Sequence, residues 1–428
     1  MNIDDALKAA VERFVAARPK TLALHERAKA VMPGGNTRTV LFTQPFPVRV
    51  ERAENQMVHD VDGHSYTDFV GEYSAGVYGH SNPVIADAVA KAVAGGINFG
   101  AHHKVEVEFA EAVAERFGLE RLRFTNSGTE ANMMALAAAR HFTGRSKVMA
   151  MRGGYHGGTL YFVGGQSPVN APFEVVLARF NDIEATRALI HEHGKDLAAL
   201  LVEPMLGSGG CIPASHDFLA MLRVETAAKG IVLVFDAVMT SRLGPNGYAK
   251  ELGLKPDMTT LGKYIGGGMS FGCFGGRADI MDQFDPMKPG FLPHAGTFNN
   301  NTLTMNAGLA GITKIFTPEK AADLNTRGER LKASLNKLFQ DYQANWQVTG
   351  IGSLLNLHPV AGVIARAEDA QAGDLRLRRL LFLHLLEQGV YIAERGYMAL
   401  SLAITDADCE KLRAAVEQFL IRTRGMTA

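Results

Sequence analysis

Four short stretches of this chain carry side chains whose types and spacing could do chemistry together. Residues 259–271, TTLGKYIGGGMSF, set Lys263 behind a β-branched run and ahead of Gly266, Gly267 and Gly268. An amine on a turn that something flat could approach closely has the setting of a Schiff-base lysine. Asp236 ends the apolar run 231–235. A carboxylate directly after five apolar residues wants a partner, and a protonated ring nitrogen would serve as well as a helix cap or a structural ion pair. Asn126-Ser127-Gly128-Thr129 is a small-residue turn between a β-prone run and an Ala- and Met-rich one. Such a turn offers free N–H groups, hydroxyls and the positive end of a helix dipole, which suit a phosphate, although an ordinary N-cap has the same composition. Tyr155 stands between Gly153-Gly154 and Gly157-Gly158. Glycines give an aromatic no core walls, so its ring is available to another ring.

Other readings compete for Lys263. A lysine beside a Gly-rich loop is most often a solvated surface charge. A phosphate loop of the G-x-x-x-x-G-K-[ST] kind is excluded, because Asp257 stands where its first Gly belongs and Tyr264 where its Ser or Thr belongs. Residues 268–272 match G-x-S-x-G with Ser270 as nucleophile, and His294, His358 and His384 lie downstream. That elbow needs an apolar strand before the Ser and a helix after it, whereas here a Gly-rich stretch precedes and a Gly-broken strand, 271–276, follows.

The elements that must position these groups are legible in order. Residues 1–32 have helical periodicity and stop at Pro33-Gly34-Gly35; an extended stretch, 46–58, follows a loop that carries Arg38. Two short strands flank the Asp62-Gly63 turn, and Ser81-Asn82-Pro83 starts a helix that Gly95-Gly96 ends. From Leu122 strands alternate with helices, the mark of a sheet covered on both faces. The strands are 122–125, 147–151, 175–180, 197–204 and 231–238, with helices over 130–142 and 217–229. A polar loop from His294 leads to a helix over 302–315. After Pro318 come an amphipathic helix to Tyr342, strands within 346–358, a helix over 375–387 and a closing helix after Thr405.

Composition bounds the function. The chain has 428 residues, 47% hydrophobic and 21% charged, with a formal net charge of zero. It is long enough for a large core and two domains, and carries no electrostatic footprint for nucleic acid or an anionic membrane. Cys211, Cys273 and Cys409 lie far apart without metal-ligand spacing, so no metal site and a reducing, cytoplasmic setting are expected. The start of the chain reads as an amphipathic helix with Asp4 and Asp5, not as a signal peptide, and no apolar run is long enough for a bilayer.

A lysine amine, a strand-end carboxylate, a phosphate seat and an exposed ring are together what pyridoxal 5′-phosphate (PLP) requires. The chain also resembles a known family, the class III aminotransferases of the fold type I PLP enzymes, and within it the β-amino-acid branch, the β-phenylalanine aminotransferases. Glutamate-1-semialdehyde aminomutases are more distantly similar. The likeness rests on Met32-Pro33-Gly34-Gly35, Asp60-Val61-Asp62-Gly63, Thr125-Asn126-Ser127-Gly128-Thr129-Glu130-Ala131-Asn132, Gly154-Tyr155-His156-Gly157, Val202-Glu203-Pro204-Met205, Phe235-Asp236, Thr260-Leu261-Gly262-Lys263 and Gly296-Thr297-Phe298-Asn299-Asn300-Asn301.

The resemblance implies an α/β fold of type I, with a large domain built on a mostly parallel sheet between helices and a smaller α+β domain. Residues 1–60 would start the small domain, 61–310 form the PLP-binding domain and 311–428 complete the small one. It implies that Lys263 holds PLP as a Schiff base and that Asp236 bonds the ring nitrogen. Tyr155 and Val238 would flank the ring, and Ser127, Gly128 and Thr129 would hold the phosphate. Thr297 would reach the phosphate of a neighbouring subunit in a homodimer with shared sites. Arg38 and Arg395 would bind substrate carboxylate, with Arg242 a third candidate. The expected reaction is transfer of the amino group of a β-amino acid, such as β-phenylalanine, to 2-oxoglutarate or pyruvate. An aminomutase, another ω-transaminase, a hydrolase at Ser270 and a PLP protein that binds without turnover are the alternatives. The family usually has Glu where this chain has Ala237, which puts the polar contacts behind Asp236 in question.

Overall fold

The computed structural model describes residues 2–426. Seven strands form its central sheet: β1 Arg121–Thr125, β2 Lys147–Met151, β3 Val175–Ala178, β4 Leu197–Val202, β5 Val232–Asp236, β6 Met258–Gly262 and β7 Gly272–Gly276. Their spatial order is β1-β7-β6-β5-β4-β2-β3. Only β7 runs antiparallel to its neighbours; the other pairs are parallel. Every residue of β4 and β5 is buried, as a strand covered by helices on both faces demands and as its unbroken apolar run foretells. The helix Gly128–Thr143 lays Ala131, Ala135, Leu136, Ala138 and Ala139 against one face. On the other face, Phe218, Leu219 and Leu222 of the helix His216–Lys229 pack with Leu200 and Leu233.

An early and a late segment of the chain share one sheet. Strands Val50–Glu54, Met57–Asp60 and Ser65–Asp68 form a sheet that is completed by Val390–Tyr391, parallel to Ser65–Asp68. A second small sheet joins Gln347–Ile351, Leu354–His358 and Tyr397–Ala399. The helices Pro318–Asp341 and Asp406–Thr423 contribute Leu331, Leu335, Leu412 and Phe419 to the same apolar cluster as Leu355 and Leu357.

Three elements differ from the sequence expectation. The periodic stretch 1–32 is two helices, Ile3–Ala16 and Pro19–Lys29, because Pro19 has no N–H to continue the first and starts the second instead. The extended stretch 46–58 becomes strand only at Val50 and turns at Asn55, where φ is +50°. The helix Lys104–Phe117 was hidden behind the Gly-rich residues before it; His103 caps it by accepting from the Glu106 N–H, and Phe109 and Val113 form its buried stripe. Among the described residues no helix is long and apolar enough to cross a membrane, and no cluster of His, Cys, Asp and Glu could hold a metal ion.

Candidate active site

Lys263 follows β6 at once, on a short helical turn to Gly266. Its φ is +56°, a left-handed conformation that costs a side-chain-bearing residue on the order of 1–3 kcal/mol. Its Nζ donates to the Tyr73 carbonyl at 2.5 Å. That carbonyl comes from a second strained segment, in which Glu72, Tyr73 and Ser74 all have positive φ. Two backbones held in unfavourable shapes therefore meet at one amine. The glycines after Lys263 serve a purpose other than the one expected of them. A Cβ on Gly266 would lie 2.3 Å from that of Phe271, and one on Gly267 would lie 2.4 Å from the Ala307 backbone. They let the turn pack on the helix Thr302–Ala310, and only Gly268 has open space around its Cα.

Burial pushes the Lys263 ammonium down to about 8; Arg395 adds to this, while Asp236 and Glu203 oppose it. The unfolded chain, with an ordinary lysine near about 10.4, holds its proton over a range in which the folded chain has lost it. Folding stability of the cofactor-free protein therefore rises with pH through that window and carries the full penalty of a buried charge below it. Lys263→Met is expected to be more stable than the wild type near neutral pH, with the gap closing between about pH 8 and about pH 10.4. Urea unfolding of the cofactor-free proteins across pH measures this; a gap independent of pH would contradict it.

Asp236, the last residue of β5, is only 4% exposed. Its Oδ2 accepts from Asn132 Nδ2 and from His156 Nδ1, both at 2.8 Å, and Oδ1 accepts from the Val238 N–H at 3.0 Å. Asn132 is itself fixed by Thr260, whose hydroxyl donates to its Oδ1 at 2.6 Å. All three contacts are donors to the carboxylate, and its oxygens keep spare lone pairs for one more proton-bearing group. In the register of β4 and β5, Val202 lies opposite Phe235, so Glu203 and Asp236 leave the sheet side by side. Glu203 is also 4% exposed and accepts from the Tyr155 and Gly207 N–H groups. Burial raises its carboxyl to about 7, with His156 opposing and Asp236 adding to the rise.

Asn132, His156, Thr260 and Glu203 were not singled out from the sequence. The available signal was positional. Glu203 follows its strand much as Asp236 closes its own, and His156 lies between Tyr155 and Gly157.

The turn before the helix Gly128–Thr143 is an N-cap that leaves backbone donors free. Ser127 is the N-cap and accepts from the Glu130 N–H, while the N–H groups of Gly128 and Thr129 carry no hydrogen bond. Gly157, with φ +119°, brings the Tyr155 loop onto this turn: a Cβ there would sit 2.1 Å from Thr129 Oγ1. Gly157→Ala is expected to displace that hydroxyl, to cost about 1–3 kcal/mol of stability, and to weaken PLP binding in a titration. PLP affinity equal to that of the wild type would separate residue 157 from the seat. Val238 reaches back to the same place, since a Cβ on Gly128 would lie 2.8 Å from its Cγ2. Tyr155 is 38% exposed and meets Tyr161 edge-on at 5.8 Å.

Arg38 and Arg395 converge on one ring. Their guanidinium carbons lie 5.9 Å and 5.3 Å from the centroid of Tyr73, and Arg395 is also 5.3 Å from Tyr397. Arg38 pairs with Glu72 at 2.5 Å, whereas the buried Nε of Arg395 has no partner. Arg242 is elsewhere: wholly buried, it donates to Ser353 Oγ and to the Ser74 and Leu400 carbonyls, so it pins loops together. Thr297 is exposed on a loop that Asn299 anchors to Asn126, beside the Ser127 turn. Ala237 belongs to the same apolar cluster as Leu261 and Ile265, and the nearby Thr240 hydroxyl is buried without a hydrogen-bond partner among the described residues. The elbow at Ser270 does not form, because a short helical turn and glycines precede the residue instead of a strand, and it runs into antiparallel β7 instead of a helix.

These walls fit PLP. A buried acceptor stands at Asp236, an unsatisfied pair of N–H groups with two hydroxyls lies on the Ser127–Thr129 turn, and a half-buried amine of lowered pKa stands at Lys263. Gly128 and Gly157 are places where any side chain would intrude on the seat.

Comparison with known proteins gives the same answer. The family model Aminotransferase class-III matches residues 42–420. The chain is 53% identical to the beta-phenylalanine transaminase of Variovorax paradoxus over 98% of its own length and 96% of the relative's. A solved beta-phenylalanine aminotransferase from that organism superposes with a TM-score of 0.97 at 52% identity, covering 99% of this chain and 98% of the other. The glutamate-1-semialdehyde 2,1-aminomutase of Methanothermobacter thermautotrophicus is 36% identical over 87% of this chain and 91% of its own. A transaminase solved with PLP bound superposes with a TM-score of 0.87 at 33% identity, over 95% of this chain and 99% of that one. The chain belongs to the class III aminotransferases and is a PLP-dependent aminotransferase of fold type I.

Proposed function

We propose that this enzyme moves the amino group of a β-amino acid, aromatic as in β-phenylalanine, to a 2-oxo acid, either 2-oxoglutarate or pyruvate. The observation that carries this reading is the placement of two arginines over the ring of Tyr73, the residue whose carbonyl takes the Lys263 amine. A transaminase must hold a carboxylate in both half-reactions, and arginine does so with two parallel hydrogen bonds. The name of the Variovorax paradoxus relative supports the same donor.

In this reading PLP, when bound, supplies a carbonyl for the donor's amine and an electron-accepting ring. Lys263 holds the cofactor through Nζ. The same Nζ, when free, would take the proton from the donor's amine-bearing carbon. Its lowered pKa keeps a usable fraction neutral near the pH at which that proton moves. Asp236 holds a proton at the ring nitrogen, and Asn132 and His156 fix its orientation. Ser127, Gly128 and Thr129 would hold the phosphate, and Tyr155 and Val238 would flank the ring. Arg38 and Arg395 orient the substrate carboxylate, so only the bond to be broken stands next to Lys263.

The working unit is a homodimer in which Thr297 reaches the partner's phosphate. Exposure of Thr297 together with Phe298 and Phe291 supports a covered face there. The three unpaired thiols accord with a cytoplasmic setting. The test of the donor is turnover of 3-amino-3-phenylpropanoate against its α-isomer, phenylalanine, with 2-oxoglutarate present. A clear preference for the β-isomer is expected. Preference for the α-isomer would overturn the donor assignment, and isomerisation of glutamate 1-semialdehyde without any acceptor would favour the aminomutase.

A further inference from the structure

Beside Arg395 a groove of about 470 Å³ opens, lined by apolar side chains and by Tyr73, Arg376, Arg378, Arg379 and Glu394. Its cations are not equivalent. Arg376 donates to Asp374 and to both carboxylate oxygens of Asp4. Arg379 donates to the Gln44 carbonyl and lies 3.8 Å from Glu394. Arg378, only partly exposed, makes no hydrogen bond and no ion pair among the described residues, and the buried Nε of Arg395 has no partner among them either.

The groove therefore holds two guanidinium groups that make no ion pair among the described residues, Arg378 and Arg395, against a single lining acid, Glu394, whose charge is shared between Arg379 and Arg378. An unpaired arginine on an open surface is unremarkable. Two that share one partly dry groove raise each other's cost until an anion enters. Tyr73 ties this groove to the reaction centre, since its carbonyl takes the Lys263 amine while its ring lies under Arg395.

We propose that Arg378 binds the distal carboxylate of a dicarboxylic 2-oxo acid of the 2-oxoglutarate kind, whose other carboxylate is held at Arg395. Arg378 is then a specificity-determining residue of the acceptor half-reaction. A monocarboxylate such as pyruvate leaves it unused, and an aromatic donor lies against the apolar side of the groove. This inference rests on the transamination reading given above.

The test is calorimetric binding of two unreactive probes, glutarate and butanoate, to the PLP-loaded enzyme. The wild type is expected to bind glutarate at least about tenfold more tightly than butanoate, the gain of one charge-assisted pair. Arg378→Gln is expected to remove most of that preference while changing butanoate affinity by less than about twofold, and Arg378→Lys to keep part of it. In turnover, Arg378→Gln should raise KM for 2-oxoglutarate and leave KM for pyruvate nearly as it was. Equal weakening of both probes, or a wild type without preference, would overturn the proposal. If 3-amino-3-phenylpropanoate fails to convert the wild-type cofactor while the glutarate preference holds, the donor assignment fails and this inference stands.

Discussion

Lys263→Ala is expected to lower turnover by on the order of 10⁴-fold, the upper range for loss of a general base, because the same Nζ both holds the cofactor and moves the proton. The loss should come without unfolding. Alanine bears the same Cβ penalty at φ +56° as lysine, so the turn is no more strained, and the removed amine made one hydrogen bond, to the Tyr73 carbonyl. Lys263→Arg is expected to be equally inactive, since a guanidinium stays protonated and cannot add to a carbonyl. Steady-state rates, with circular dichroism melting as the folding control, measure both variants. Activity of Lys263→Ala within tenfold of the wild type would remove this residue from the chemistry.

Asp236→Ala has the second-largest expected effect, and unlike Lys263→Ala it should also weaken the protein. Asn132 Nδ2 and His156 Nδ1 would both lose their acceptor in a site that is almost wholly dry. Removing one member of such a buried pair costs about 3–5 kcal/mol, which corresponds to roughly two to four orders of magnitude in an equilibrium or rate. The loss is expected to divide between PLP affinity and kcat. Asp236→Glu should not restore it, because the longer carboxylate cannot keep Oδ2 between Asn132 and His156. A variant that binds PLP as well as the wild type and falls less than tenfold in kcat would show that Asp236 serves the fold alone.

How much of this was legible in the sequence depended on the kind of signal. The parallel strands were, because burial on both faces forces runs such as 197–202 and 231–235 to be apolar throughout. So was the Ser127 turn, where strand, cap and helix are local features. The glycines after Lys263 were visible, but their partners Phe271 and Ala307 are supplied by tertiary packing, so their purpose was not. The support of Asp236 was hidden for the same reason. Asn132 and His156 lie on separate elements and meet it only across the sheet. Arg242 looked like Arg38 and Arg395 from its residue type, and only its complete burial assigns it to the loops. The surplus of cations near Arg378 could be counted in the sequence, yet which of them lacked a partner could not.

The most direct test is the absorption spectrum of the PLP-loaded protein before and after 3-amino-3-phenylpropanoate is added with no acceptor present. The account predicts that the yellow band of bound PLP gives way to the shorter-wavelength band of the pyridoxamine form and returns when 2-oxoglutarate is supplied. A yellow band that the donor leaves unmoved would contradict the β-amino-acid assignment, and no band at all with Lys263 intact would contradict the site itself.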